Sequence, residues 1–147
     1  MNALELLKQD HQNVKQLFRE AEAAEDPKRR KELFDHIETE LEVHTQIEET
    51  VFYPAMEQHE ELKDLVAEAR DEHEEVKELL EDMESMSPDD EEFESSLQEL
   101  IENVEHHAEE EEQEMFPKAQ QIVGDKALED LGRQLEAAKG KQQRAAS

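Results

Sequence analysis

The chain has 147 residues, 40% of them Asp, Glu, Lys or Arg, and a formal charge of −27. That length fits one domain with a modest core. The charge repels phosphate backbones and anionic headgroups, so nucleic acid and membrane surfaces are excluded as expected partners while metal cations and basic proteins remain.

With no cysteine in the chain, disulfides, thiolate nucleophiles, iron–sulfur clusters and zinc-thiolate sites are ruled out. Three glycines and four prolines favour long helices, so the expected class is all-α. The start, MNALELLKQDH, lacks the basic and apolar regions of a secretory leader. No stretch approaches the roughly 20 apolar residues of a membrane span, and the expected location is the cytoplasm.

Asn2 is positioned to cap a first helix running to about Glu25. Asp26-Pro27 reads as an N-cap followed by proline in the first helical turn, opening a second helix that reaches the neighbourhood of Tyr53, where Pro54 ends or kinks it. A third helix is expected from about Glu60 to Met86. Ser87-Pro88-Asp89-Asp90 then gives a cap, a proline and an acidic first turn for a fourth, ending near Gln121. Gly124-Asp125 reads as a stop and a new cap for a short fifth helix at 126–138, before a basic tail at 139–147, KGKQQRAAS, that is expected to be disordered.

The sequence thus predicts an up-down-up-down four-helix bundle over about residues 2–121 with an accessory helix, in a single domain covering 1–138. Leu128, Leu131 and Leu135 give the accessory helix an apolar face that can pack on the bundle or join a second subunit, so a monomer or a weak homodimer is expected.

Each of the four long stripes contains a histidine. The first runs Leu4, Leu7, His11, Val14 and Phe18, and the second Ile37, Leu41, His44, Glu48 and Val51. The third runs Val66, Ala69, His73, Val76 and Leu80, and the fourth Leu97, Leu100, Val104, His107, Glu111 and Met115. Six ionisable groups therefore stand where a plain bundle has leucine or valine, and buried carboxylates are costly without partners. The halves also repeat: DHQNVKQLF at 10–18 matches EHEEVKELL at 72–80, and HTQIEETVFYP at 44–54 matches HAEEEEQEMFP at 107–117. Each half supplies one His and one His-x-x-x-Glu pair to a pseudo-twofold interior.

His-x-x-x-Glu alone is weak in so acidic a chain. His36 with Glu40 and His106 with Glu110 share the spacing but lie off the stripes and are assigned to a solvated face, as is His59 among its glutamates. Four imidazoles and two carboxylates exceed a four-coordinate zinc site and suit two adjacent six-coordinate ions bridged by the carboxylates, iron first and manganese second. Open positions on redox-active iron would receive dioxygen, hydrogen peroxide or nitric oxide. A ferritin-type site needs Glu-x-x-His, and none of the seven histidines has an acidic residue three before it. An acidic interaction bundle without metal is the remaining alternative.

The order His11, His44-x-x-x-Glu48, His73, His107-x-x-x-Glu111 resembles the hemerythrin-like proteins with the HHE cation-binding domain, four-helix bundles that hold a non-haem di-iron centre. The resemblance covers about residues 1–120. It implies that His11 and His44 hold one iron and His73 and His107 the other, with Glu48 and Glu111 bridging and an oxo, hydroxo or water bridge between the ions. The oxygen-carrying hemerythrins have a further histidine four residues after the one on the third helix. Lys77 stands there in this chain, which favours peroxide decomposition of a catalase-like kind, or sensing, over reversible oxygen carriage. A redox protein is a conceivable partner. Tyr53, counted along a straight helix, falls on the face opposite His44, so packing or surface placement is expected, and only a distortion at Pro54 would turn its phenol toward the metals.

Overall fold

The computed structural model describes residues 1–146, whose regular elements are all helices, with no strand among them. Helix α1 spans Ala3–Ala23, opened by a capping box in which the Asn2 side chain and Glu5 each accept the other's backbone N–H. Helix α2 spans Pro27–Ile47, with the Asp26 carboxylate accepting from the Lys28 N–H and Pro27 in the first turn. It continues through a π-helical turn at Glu48–Phe52 into the short α3, Tyr53–Met56.

After a 3₁₀ turn at Glu60–Leu62, α4 runs Lys63–Glu84. Helix α5 spans Glu91–Glu110 and passes through a second π-helical turn, Glu111–Met115, into α6, Phe116–Val123. Asp90 occupies the N-cap position of α5 without a side-chain capping bond, so this helix starts past the expected proline turn. Gly124 ends α6 at φ +88°, a left-handed conformation that favours glycine.

Helix α7 spans Asp125–Ala146 and packs along α1 and α2. Here the expectation of a short accessory helix and a disordered tail is corrected: 139–146 are helical, and Ser147 lies outside the described residues. The side chain of Lys139 reaches Asp10 on α1, giving the basic segment a reason to stay on the bundle. Leu128, Leu131 and Leu135 are buried against it as well, so the apolar face of α7 is spent within the chain. No helix among the described residues is long and apolar enough to cross a membrane.

The apolar interior forms two clusters. One gathers Leu4, Leu7, Ile47, Phe52, Met56 and Phe116 with the leucines of α7. The other gathers Val14, Phe18, Phe34, Leu41, Val76 and Phe93. Along α1 the sequence passes from Leu7 in the first cluster to Val14 in the second, and His11 lies between them. The same holds on the other helices, so a polar belt separates two halves of the core.

Candidate metal centre

The six stripe residues meet in that belt. Glu48 is fully buried and Glu111 is 2% exposed, while His44, His73 and His107 are buried and the His11 side chain is 7% exposed. The Nε2 atoms of all four histidines turn inward. His11 Nε2 lies 3.1 Å from Glu111 Oε1, His44 Nε2 lies 3.0 Å from Glu48 Oε1 and His73 Nε2 lies 3.1 Å from the same Glu48 oxygen. His107 Nε2 lies 3.5 Å from Glu111 Oε1 and 3.2 Å from His73 Nε2.

Each Nδ1 is held from behind by a carboxylate. His11 Nδ1 is 2.8 Å from Glu112, His44 Nδ1 3.1 Å from Asp10, His73 Nδ1 2.8 Å from Glu49 and His107 Nδ1 2.8 Å from Glu72. A carboxylate accepting from Nδ1–H fixes the tautomer that leaves Nε2 free to bind a cation and fixes the ring's aim. Stripe counting did not find these four residues. The signal was present in the repeat, because Asp10-His11 matches Glu72-His73 and Glu48-Glu49 matches Glu111-Glu112.

The two halves differ outside this shell. Asp10 also receives Lys139 from α7, at 2.5 Å. Its counterpart Glu72 faces the surface residue His106, which is 2.9 Å from Glu110. His36 and His106 are exposed, as expected, and His59 is half-buried; Lys77 is exposed and stays outside the belt.

Tyr53 corrects the straight-helix expectation. Its side chain is fully buried, and its hydroxyl donates to Glu111 Oε2 at 2.7 Å while lying 3.2 Å from His73 Nε2 and 3.4 Å from His107 Nε2. The cause is the π-turn before Pro54. Proline has no N–H and its ring crowds the carbonyl four residues back, and the helix accommodates it by widening one turn, with the Tyr53 N–H bonded to the Glu48 carbonyl five residues back. One extra residue in that turn removes about 100° from the angular count, bringing Tyr53 from about 180° to about 80° from His44. Pro117 and the second π-turn do the same for Phe116, whose ring stacks on His11 with centroids 6.2 Å apart.

Charge in the belt is strongly biased. Burial disfavours the His44 imidazolium, yet the Glu48 and Asp10 carboxylates outweigh it and push its pKa up to about 10. His107 is raised in the same way, by Glu111, Glu48 and Glu72 against burial. Burial opposes ionisation of Glu48, but His44 and its other partners hold its carboxyl well below the usual range. Burial lifts Tyr53 well above the usual phenol range, with Glu111 and Glu48 adding to it, so the proton stays on the phenol.

These residues fit bound cations. Among the described residues, His44 Nε2 and Glu48 Oε2 are buried without a hydrogen-bond partner; the nitrogen lies 3.0 Å from Glu48 Oε1 but is not aligned to bond it, and a nitrogen and a carboxylate left so together suit a shared positive ion. His11, His44 and Glu111 can bring one ligand atom each within 4.8 Å of one another, and so can Glu48, His73 and His107. All the donors are nitrogen or oxygen, the set that suits iron and manganese.

The chain is similar to known proteins in sequence and in fold. The family model described as hemerythrin HHE cation binding domain matches residues 2–119. The crystal structure of an HHE cation binding domain-containing protein from Mycobacterium kansasii superposes with a TM-score of 0.87 at 31% identity, over 99% of this chain and 90% of that one. A Nostoc protein named DNA nickase is 31% identical over 141 residues, 96% of this chain, and the chain spans only 40% of that relative's length. A helical bundle with two His/Glu groups at its waist, matched by the family model over most of its length, belongs to the hemerythrin HHE cation-binding family.

Proposed function

We propose that the chain holds two iron ions in the belt, one by His11 and His44 and the other by His73 and His107, with Glu48 and Glu111 spanning both, and that this centre decomposes hydrogen peroxide. The observation that carries the reading is the convergence of four inward Nε2 atoms on two buried carboxylates, each imidazole fixed from behind by its own carboxylate. Iron bound there supplies a redox couple able to exchange two electrons with peroxide.

The chain's own groups supply the rest. Asp10, Glu49, Glu72 and Glu112 keep the imidazoles aimed, and the two apolar clusters close the belt off along the bundle axis. Tyr53 Oη holds a proton 2.7 Å from Glu111 Oε2, where it can be lent as an oxygen–oxygen bond breaks and recovered through the carboxylate. No phenol takes that position in the other half, where Phe116 stands instead. The nickase activity named for the Nostoc relative is not carried over, because the chain covers 40% of that protein and its −27 charge opposes DNA phosphates.

The test is metal content and the ultraviolet-visible spectrum of protein from iron-replete cells, followed by oxygen evolution on adding hydrogen peroxide. Two irons per chain with near-ultraviolet bridge bands and gas evolution support the proposal. Two irons with reversible dioxygen or nitric oxide binding and no turnover replace it with a carrier or sensor, and no stoichiometric metal after reconstitution removes the centre altogether.

A further inference from the structure

Two openings flank the belt, related by the same pseudo-twofold. The one between α2 and α4 is acidic, lined by Glu38, Glu42, Glu74, Glu81 and Glu84 with Lys77. The other is a chamber of about 520 Å³ that opens between α1 and α5. All four belt histidines line it, and Val14, Phe18, Leu41, Val76 and Val104 form an apolar wall that runs on into the second core cluster. Glu48, Glu111 and Tyr53 are outside its lining, behind the histidines. His44, nine-tenths buried, has its Nε2 without a hydrogen-bond partner and borders the same chamber.

The chamber is far too large for peroxide alone. A water molecule takes roughly 30 Å³ of liquid, and a molecule of two oxygens is of that order, whereas sites of roughly 300–1,000 Å³ accommodate small organic ligands. The wall chemistry narrows the class. Five apolar side chains would strip water from a charged body at high cost. The rim carries Lys8 and Lys15 on α1 with Glu105, Glu109 and Glu112 opposite, and Glu112 is already engaged by His11 Nδ1, so both signs are present and neither an anion nor a cation is selected.

We propose that this chamber takes neutral organic hydroperoxides, with the alkyl or aryl body on Val14, Phe18, Leu41, Val76 and Val104 and the peroxide end at the histidines; this rests on the peroxide-decomposing reading of the centre. In the reaction the O–O bond of ROOH breaks and its two oxygens leave as ROH and water. Two electrons and two protons come from one hydrogen peroxide, which leaves as dioxygen. The sum is ROOH + H₂O₂ → ROH + H₂O + O₂.

The experiment titrates the iron-loaded protein calorimetrically with unreactive products, the linear alcohols from propanol to octanol and 2-phenyl-2-propanol. Affinity should rise roughly fourfold per methylene as the apolar wall is covered, and Val104→Trp, which fills the chamber, should weaken octanol at least tenfold with the helical circular dichroism intact. Affinity that is flat along the wild-type series overturns the proposal even if the variant fails to fold. Oxygen evolution from hydrogen peroxide alone separates the two readings. Protein that evolves gas but binds no alcohol keeps the peroxide centre and loses the chamber, whereas protein that binds alcohols but evolves no gas loses the peroxide chemistry and the hydroperoxide assignment with it.

Discussion

Asp10→Asn tests whether α7 steadies the metal centre through a single buried carboxylate. Asp10 is 4% exposed; one oxygen is 3.1 Å from His44 Nδ1 and the other 2.5 Å from Lys139 Nζ. Asparagine keeps the shape but offers one acceptor oxygen, so one of the two donors must face an amide NH₂. The lysine's full charge wins the oxygen, leaving His44 Nδ1 opposite an N–H donor. The ring then shifts its proton to Nε2, where a metal would have bound. Loss of such a supporting carboxylate costs 10–100-fold in metal affinity, or about 1.4–2.8 kcal/mol. Lys139→Met is the companion variant. It should lower the melting temperature of the metal-free protein by removing a partner from a buried carboxylate, yet leave metal affinity near the wild-type value because His44 keeps its acceptor. Chelator competition reads the affinity and thermal unfolding reads the stability. Wild-type affinity in the Asn variant would refute the argument that the rear carboxylates aim the imidazoles. Burial works against the ionised Asp10, but His44 and Lys139 outweigh it and lower its pKa, so its stabilising contribution is present above the ordinary Asp range and lost as pH falls through the lowered value.

Tyr53→Phe should keep two irons per chain and reduce oxygen evolution from hydrogen peroxide about a hundredfold, the lower end of a positioned acid's contribution; equal rates would remove the phenol from the mechanism. His44, raised to about 10, and His107, raised in the same direction, are charged near neutral pH in metal-free protein and must lose those protons to bind metal, so apparent metal affinity should climb with pH and binding should release protons measurable in weak buffer. For the metal-free fold the sign is opposite. The His44 contribution is full below the unfolded value near 6.5 and lost as pH rises through about 10, so the melting temperature should fall across that window. Gly132→Ala should destabilise the protein by roughly 1–3 kcal/mol in chemical denaturation, because a Cβ there would run into the backbone of Met1 and Asn2 and push the capped start of α1 off α7.

The period of the apolar stripes made the four long helices legible, and the repeat made the six belt residues legible, because both signals are local or nearly so. Three features were not. The extent of α7 depends on Lys139 finding Asp10, a contact 129 residues apart that composition at 139–147 cannot reveal. Tyr53 was placed with a straight-helix count, which fails wherever a turn takes up an extra residue; the two Phe/Tyr-Pro pairs at matching repeat positions were the available hint. The rear carboxylates were hidden by abundance, since with 43 acidic residues no single Asp or Glu stands out until the two halves are aligned and each is found beside the same histidine or glutamate in both.

That alignment also explains why the centre need not be chemically symmetric although its donors are. Duplication reproduces whatever the backbone repeats: the histidine positions, the glutamate at i+4, the π-turn and the proline that forces it. It does not protect the residue that the π-turn swings inward, which is tyrosine in one half and phenylalanine in the other, nor the outer partner of the rear carboxylate, which is Lys139 in one half and the His106–Glu110 pair in the other. The consequence is a division of labour along the pseudo-twofold. The only phenolic proton in the chain stands beside His73 and His107, and the stacked ring of Phe116 keeps the His11 side apolar. A Phe116→Tyr, Tyr53→Phe exchange separates the two causes: if turnover depends on a phenol at the belt regardless of side, the exchange restores what Tyr53→Phe removes, and if it depends on the Lys139-anchored half being free of one, the exchange stays slow.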